Sequence, residues 1–183
     1  RAYLLRGIAR FSQKEYASAV ADFRRGLELS PRDTGLQYNL SIALLQDKKY
    51  AAADSAATEL LQIDPKNKDA YRVLAQSALE RKDTLTATRQ VDTLLAQDST
   101  YIPAYLLRAQ IAAERKDYPT SIRAIDRVLA LDAGDASLYV NRAIMRYHLN
   151  DLRGAMNDYT EALRLEPRDR AALNNRALLR SQV

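Results

Sequence analysis

The chain holds a single histidine, His148, and no cysteine, which sets a low ceiling on the chemistry it can run. Nucleophilic catalysis needs a base beside the nucleophile and a further group to orient that base. Serines and carboxylates are plentiful, but there is no second imidazole to serve them. No Gly-rich stretch is present that could wrap a phosphate. The lack of cysteine removes disulfides, thiolate zinc sites and cysteine nucleophiles together, and fits either redox compartment. A lone His is a poor start for a metal site. His148 therefore reads as a solvent-facing side chain, and the chain as carrying no catalytic site, metal or cofactor. Many acids have a structural use. Asp33, Asn67, Asp135 and Asp169, and again Asp83, Asp117 and Asp151, stand at the starts of amphipathic segments. There a short side-chain oxygen accepts from the free N–H groups that open a helix.

Those starts recur with a period of 34 residues. Stacked so that Pro31, Pro65, Ser99, Ala133 and Pro167 share position 32, the chain aligns without a gap. Position 8 is always small: Gly7, Ser41, Ala75, Ala109, Ala143 and Ala177. So is position 20, with Ala19, Ala53, Ala87, Ser121 and Ala155. Position 24 carries Phe23, Ala57, Val91, Ile125 and Tyr159, and position 28 is Leu in every repeat. Small residues let two helices approach closely, and large ones fill the space beside them. Each unit reads as two short amphipathic helices joined by a tight turn. Pro103 and Pro119 fall in first turns, where a missing N–H is tolerated.

In its period and its small and large columns, the sequence resembles the tetratricopeptide repeat family. The resemblance covers the whole chain. It implies an all-α, right-handed α-solenoid of antiparallel helix pairs: five complete repeats over residues 1–33, 34–67, 68–101, 102–135 and 136–169, then a final helix over 170–183 acting as a partial cap. The unbroken register predicts one array. Repeat 3 is the weakest match, with Thr84 and Ser99 in signature columns, and the most mobile junction is expected near Gln97–Pro103. Arg1 already sits inside a repeat and Val183 stops in mid-repeat, so the chain is expected to be an excerpt of a longer protein.

Two departures from the family pattern carry physical consequences. The turn between the helices, where the family has Gly, holds Lys14, Lys48, Lys82, Lys116 and Asn150. A left-handed backbone there costs a Lys roughly 1 kcal/mol. Position 7, usually Leu, is Arg6, Arg108, Arg142 and Arg176. Asp stands at position 23 only in repeats 1 and 5, as Asp22 and Asp158, and both of those repeats carry the Arg. This predicts the ion pairs Arg6–Asp22 and Arg142–Asp158, joining the two helices of a repeat and setting register more than stability. Arg108 has no acid at that place and breaks the rule.

The resemblance also implies that the first helix of each repeat lines a concave groove. On that basis the groove residues are Tyr38, Asn39, Ile42, Leu45, Arg72, Gln76, Leu107, Gln110, Asn141, Ile144, Tyr147 and Asn175. They make one apolar trough with amides set into it, and persistent apolar surface on a concave face marks a binding site. Each Asn offers a donor and an acceptor, as a peptide backbone requires. Glu80 and Glu114 along the same face suit a basic partner segment. The run Asn141-Arg142-Ala143 looks like part of the clamp with which some co-chaperone members hold an acidic C-terminus. Leu106, Gln110, Ala171 and Asn175 stand where that clamp needs other residues, so it is not assembled. An Asn ladder like that of O-GlcNAc transferase arms is present in only half of the helices.

The partner expected is therefore another protein or peptide. Net charge is +5, with both signs interspersed, which argues against a nucleic-acid stripe. No long apolar run is present to insert in a membrane. Two alternatives stay open: self-association or packing through the open repeat ends, and service as the substrate-recruiting arm of a larger enzyme. The Asn-Arg-Ala starts and the Arg-Gly-Ala-Met-Asn-Asp-Tyr run are similar to those of bacterial members of the family. Some of these are exported to the cell envelope, which leans the compartment toward envelope or periplasm over cytoplasm.

Overall fold

The computed structural model describes residues 1–181. Among them are eleven α-helices and no strand: α1 (Ala2–Ser12), α2 (Tyr16–Leu29), α3 (Thr34–Gln46), α4 (Tyr50–Ile63), α5 (Lys68–Glu80), α6 (Thr84–Gln97), α7 (Ile102–Glu114), α8 (Tyr118–Leu131), α9 (Ala136–His148), α10 (Leu152–Leu165) and α11 (Arg170–Arg180). Gln182 and Val183, which the sequence reading places in the last helix, lie outside the described residues. The chain is an all-α assembly of helix hairpins. It divides into two compact units, Arg1–Ser99 and Thr100–Val183. The boundary falls within Gln97–Pro103, where the repeat signature is weakest.

Local chemistry sets the helix ends. Asp33, Asn67, Asp83, Asp117, Asp135, Asp151 and Asp169 each accept a backbone N–H of the helix they precede, satisfying donors that have no intrahelical partner. Pro103 and Pro119 occupy first-turn positions of α7 and α8. Within each hairpin the turn residue is left-handed: Lys14, Lys48, Lys82, Lys116 and Asn150 have φ between 58° and 64°. The residue after each donates its N–H five residues back, as Glu15 does to the Arg10 carbonyl at 2.9 Å and Asp151 to that of Arg146 at 2.9 Å. These bonds close the helix C-terminus in a Schellman arrangement, and they offset the steric cost of placing a Lys there.

The first unit packs the hairpins α1/α2, α3/α4 and α5/α6, with α2 against α3 and α4 against α5. Ala19, Phe23, Ala53, Ala57, Leu60 and Val73 are buried in one continuous core. Gly7 is required by close approach: a Cβ there would overlap the Phe23 ring. In the second unit α7/α8 and α9/α10 form hairpins, α8 packs on α9, and α11 covers α10. Ala143, Ala155, Tyr159, Ala162 and Ala172 are buried there together.

Candidate partner-binding site

In the second unit, helices α9, α10 and α11 leave an open cavity of about 360 Å³ between them, lined by Ile144, Tyr147, His148, Tyr159, Asn175, Leu178 and Leu179. Successive turns of α9 present Ile144 and Tyr147, and α11 supplies Asn175 and Leu178 one turn apart. The wall is mostly hydrocarbon and aromatic, with a few polar groups set into it, as small binding sites commonly are. Two of its apolar members are open to solvent, Tyr147 at 43% and Leu178 at 62%. The floor is fixed. Tyr159 is buried, which raises its hydroxyl pKa, and a hydrogen bond with Asn175 opposes that rise. His148 lies at the rim, stacked on Tyr118 with ring centroids 4.7 Å apart and 10° between planes. Tyr147 meets His148 edge to face at 6.1 Å. Neighbouring rings therefore hold the imidazole in place. Among the described residues no group of three His, Asp or Glu side chains is placed to hold a metal.

Of the residues expected to line a groove, the cavity brings together Ile144, Tyr147 and Asn175. Asn141 and Gln110 are exposed on α9 and α7, away from its walls. Tyr159 and Leu179 line the cavity but belong to packing columns of the repeat. Tyr159 was passed over because position 24 fills the interior in the four repeats before it, as Phe23, Ala57, Val91 and Ile125.

The first unit places its expected site residues differently. Tyr38, Asn39, Ile42, Arg72 and Gln76 are half-buried. Arg72 donates to the Tyr38 hydroxyl at 2.8 Å and to Asp69 at 3.4 Å. The Asn39 amide donates to its own helix, at Gly35, at 2.7 Å, and Gln76 donates to Glu80 at 3.0 Å. Much of the polarity assigned to a partner is thus used within the unit. Leu45 and Leu107 correct the expectation outright. They are 7% and 6% exposed, so they offer almost no surface to a ligand. Leu45 belongs to the core of the first unit, in one cluster with Ala70 and Val73 of the next hairpin, so neighbouring helices cover position 12 there.

The Arg and Asp columns meet inside their hairpins. Arg6 donates to Asp22 through Nη2 at 2.6 Å and through Nε at 3.0 and 3.1 Å, and Arg10 adds a bond at 2.7 Å. In the second unit Arg142 donates to Asp158 at 2.6 and 3.0 Å, Arg146 adds one at 2.9 Å, and Arg142 also reaches Asp126 at 2.6 Å. Both aspartates are buried. The Arg6 hydrogen bonds hold the Asp22 carboxyl below the usual carboxylate range. Burial works against the charge of Arg142, but its bonds to Asp158 and Asp126 outweigh that and raise its pKa. The second arginine of each lock was missed, although the signal was present. Position 11 holds Arg10 and Arg146 in the two repeats with the Asp, and Leu44, Ala78 and Ala112 in the others.

No helix among the described residues is long and apolar enough to cross a membrane. Comparison with curated proteins finds no match. Among solved structures, TTC0263, a thermophilic TPR protein of Thermus thermophilus, is similar over 97% of each chain at 21% identity, with a TM-score of 0.74. YrrB, described as a TPR protein with an unusual peptide-binding site, matches over 96% of this chain and 90% of its own at 16% identity and a TM-score of 0.72. PilF of Pseudomonas aeruginosa matches over 94% and 78% at 16% identity and a TM-score of 0.80. At these identities the likeness is one of fold. Tetratricopeptide repeat models match residues 10–76, 44–111 and 109–180. With its repeat columns filled as the helix hairpins require, the chain belongs to the tetratricopeptide repeat family.

Proposed function

We propose that this protein is a binding scaffold and that the cavity between α9, α10 and α11 receives an apolar side chain from an extended peptide or helix of a partner. The observation that carries the reading is the pairing of exposed Tyr147 and Leu178 over a fixed floor of Tyr159 and Leu179. Aromatic anchors beside a preformed pocket dominate many interfaces. Asn141, exposed one helical turn before Met145, supplies an amide that reaches a peptide backbone running past the pocket. A TPR scaffold supports protein–protein interaction in general, and YrrB is described as carrying a peptide-binding site.

The test is a selection from a random peptide display library on the immobilised protein, with Asn141→Ala/Tyr147→Ala as the counter-target. Selected peptides should lose about tenfold or more in affinity on the variant, as expected for a truncated anchor. Equal binding to both proteins would defeat the reading. Sedimentation of both proteins decides the competing use of this face. A dimer that turns into a monomer on substitution would assign the pocket to self-association.

A further inference from the structure

Tyr159 carries one atom more than its place in the fold requires. It stands in the packing column of Phe23, next to an aspartate held by two arginines, as Phe23 does. Phe23 closes its hairpin fully buried and with no hydroxyl, so the phenol oxygen of Tyr159 is surplus to the packing. That oxygen is on the cavity side of the ring: Asn175 bonds to it and Tyr147 bears on its ionisation, and both line the cavity. Asn175 opposes the rise in the Tyr159 pKa, as an amide donating to a phenol oxygen does. The Tyr159 O–H and the Asn175 carbonyl are then left with no protein partner among the described residues. Tyr159 is 3% exposed, and a buried polar group is costly to leave unpaired. The floor thus offers a donor and an acceptor side by side, at the foot of hydrocarbon walls from Ile144, Leu178 and Leu179.

We infer that the cavity is a tyrosine pocket: the partner side chain it takes is a phenol whose oxygen accepts from the Tyr159 O–H and whose own O–H donates to the Asn175 carbonyl. This rests on the binding-scaffold reading above and narrows the apolar side chain named there to one with a polar tip. A leucine or phenylalanine displaces water from the floor and replaces neither bond, which loses affinity. A site built to bond a hydroxyl rejects the analogue that lacks it. A carboxylate accepts but cannot donate, so it leaves the Asn175 carbonyl unpaired. A glutamine tip has both groups, but it freezes more rotors than a tyrosine does and leaves the aromatic rim unmatched. That rim is Tyr147 and His148, edge to face at 6.1 Å, with the imidazole held against Tyr118. A cavity of about 360 Å³ also has room for a phenol ring.

The probe is p-cresol, the tyrosine side chain ending at Cβ, titrated into the whole protein and followed by NMR at the Ile144 methyls and the Asn175 amide. Saturable shifts are expected, with binding about threefold to tenfold tighter than that of toluene, the phenylalanine counterpart, as for neutral hydrogen bonds set against lost hydration. Tyr159→Phe should abolish that preference or turn it toward toluene, and Asn175→Leu should do the same from the other side of the pair. Circular dichroism of both variants should match the parent. In the parent, a preference for toluene or for propanamide, the glutamine counterpart, would overturn the inference. So would an unchanged preference in Tyr159→Phe, or no saturable shift. The peptide selection above separates this inference from the reading it rests on. Selected peptides that depend on Tyr147 but carry no tyrosine would overturn the tyrosine pocket alone and leave the scaffold standing. The absence of any peptide that depends on Tyr147 would overturn both.

Discussion

Asp158→Ala should be among the costliest single changes in this protein. Asp158 is 2% exposed and accepts from Arg142 at 2.6 and 3.0 Å and from Arg146 at 2.9 Å. The two arginine side chains are only 15% and 25% exposed, so they cannot swing into water freely when the carboxylate goes. Breaking a buried pair from one side costs about 3–5 kcal/mol. Here Arg142 keeps Asp126 at 2.6 Å, and Arg146 keeps a weaker bond to the Gly154 carbonyl at 3.3 Å. The loss should therefore fall to about 2–3 kcal/mol, the range of hydrogen bonds to charged groups. With a urea slope of about 2 kcal/mol/M for a chain of this size, the unfolding midpoint followed by circular dichroism should drop by about 1–1.5 M. Asp22→Ala should lose less, because Arg6 and Arg10 are 56% and 35% exposed and rehydrate once released. Replacing the whole second lock, as Arg142→Met/Arg146→Met/Asp158→Leu, should recover most of the loss, since no buried charge is left unpaired. A loss below about 0.5 kcal/mol for Asp158→Ala, or a larger loss for Asp22→Ala, would show that these locks do not depend on desolvation as argued.

Two further outcomes follow from the same geometry. Hydrogen bonds from Arg6, helped by the charge of Arg10, lower the pKa of the folded Asp22 carboxyl. Between the folded and unfolded values, near and below about pH 4, the unfolded chain binds the extra proton. The stability from this pair is thus complete above that range and is lost as pH falls through the folded value. Acid unfolding of Asp22→Asn should lack that component, and parallel curves for variant and parent would refute it. At the hairpin turns, Lys48 sits at φ 58°. Lys48→Gly should stabilise by about 0.5–1 kcal/mol, the steric relief less the chain entropy glycine adds to the unfolded state. Its thermal midpoint should rise by about 1–4 °C, and an unchanged or lower midpoint would contradict the strain assigned to that turn.

The fold was legible because its determinants are local and repeat. A cap such as Asp83, a turn residue such as Lys116 and a small contact such as Ala87 each act within one hairpin, and the 34-residue period shows each several times. The ion pairs were legible for a related reason: Arg and Asp appear and vanish together across repeats. The site was legible only in part. Tyr147 and Ile144 follow from the helical face they occupy, but whether such a face is open depends on what lies across it. Leu45 has the same position in its repeat as Tyr147 and is buried at 7%, while Tyr147 is 43% exposed. A column gives direction. The amount of surface left at the end of that direction is set by the neighbouring helices, and period alone does not report it.

That limit also shows where unfilled surface can be recognised. An apolar face is ambiguous, since any hydrocarbon can cover it. A face that carries half of an ion lock is not. Repeats 2 and 3 close with Leu40 and Leu74 at position 7 and have no Asp at position 23, so their hairpins have no buried arginine–aspartate lock at that place. Repeats 1 and 5 close around a buried aspartate shared by two arginines. Desolvating a lone guanidinium costs several kcal/mol, so a helix lying across such a pair without an acid is penalised, and one with the acid is favoured in a single register.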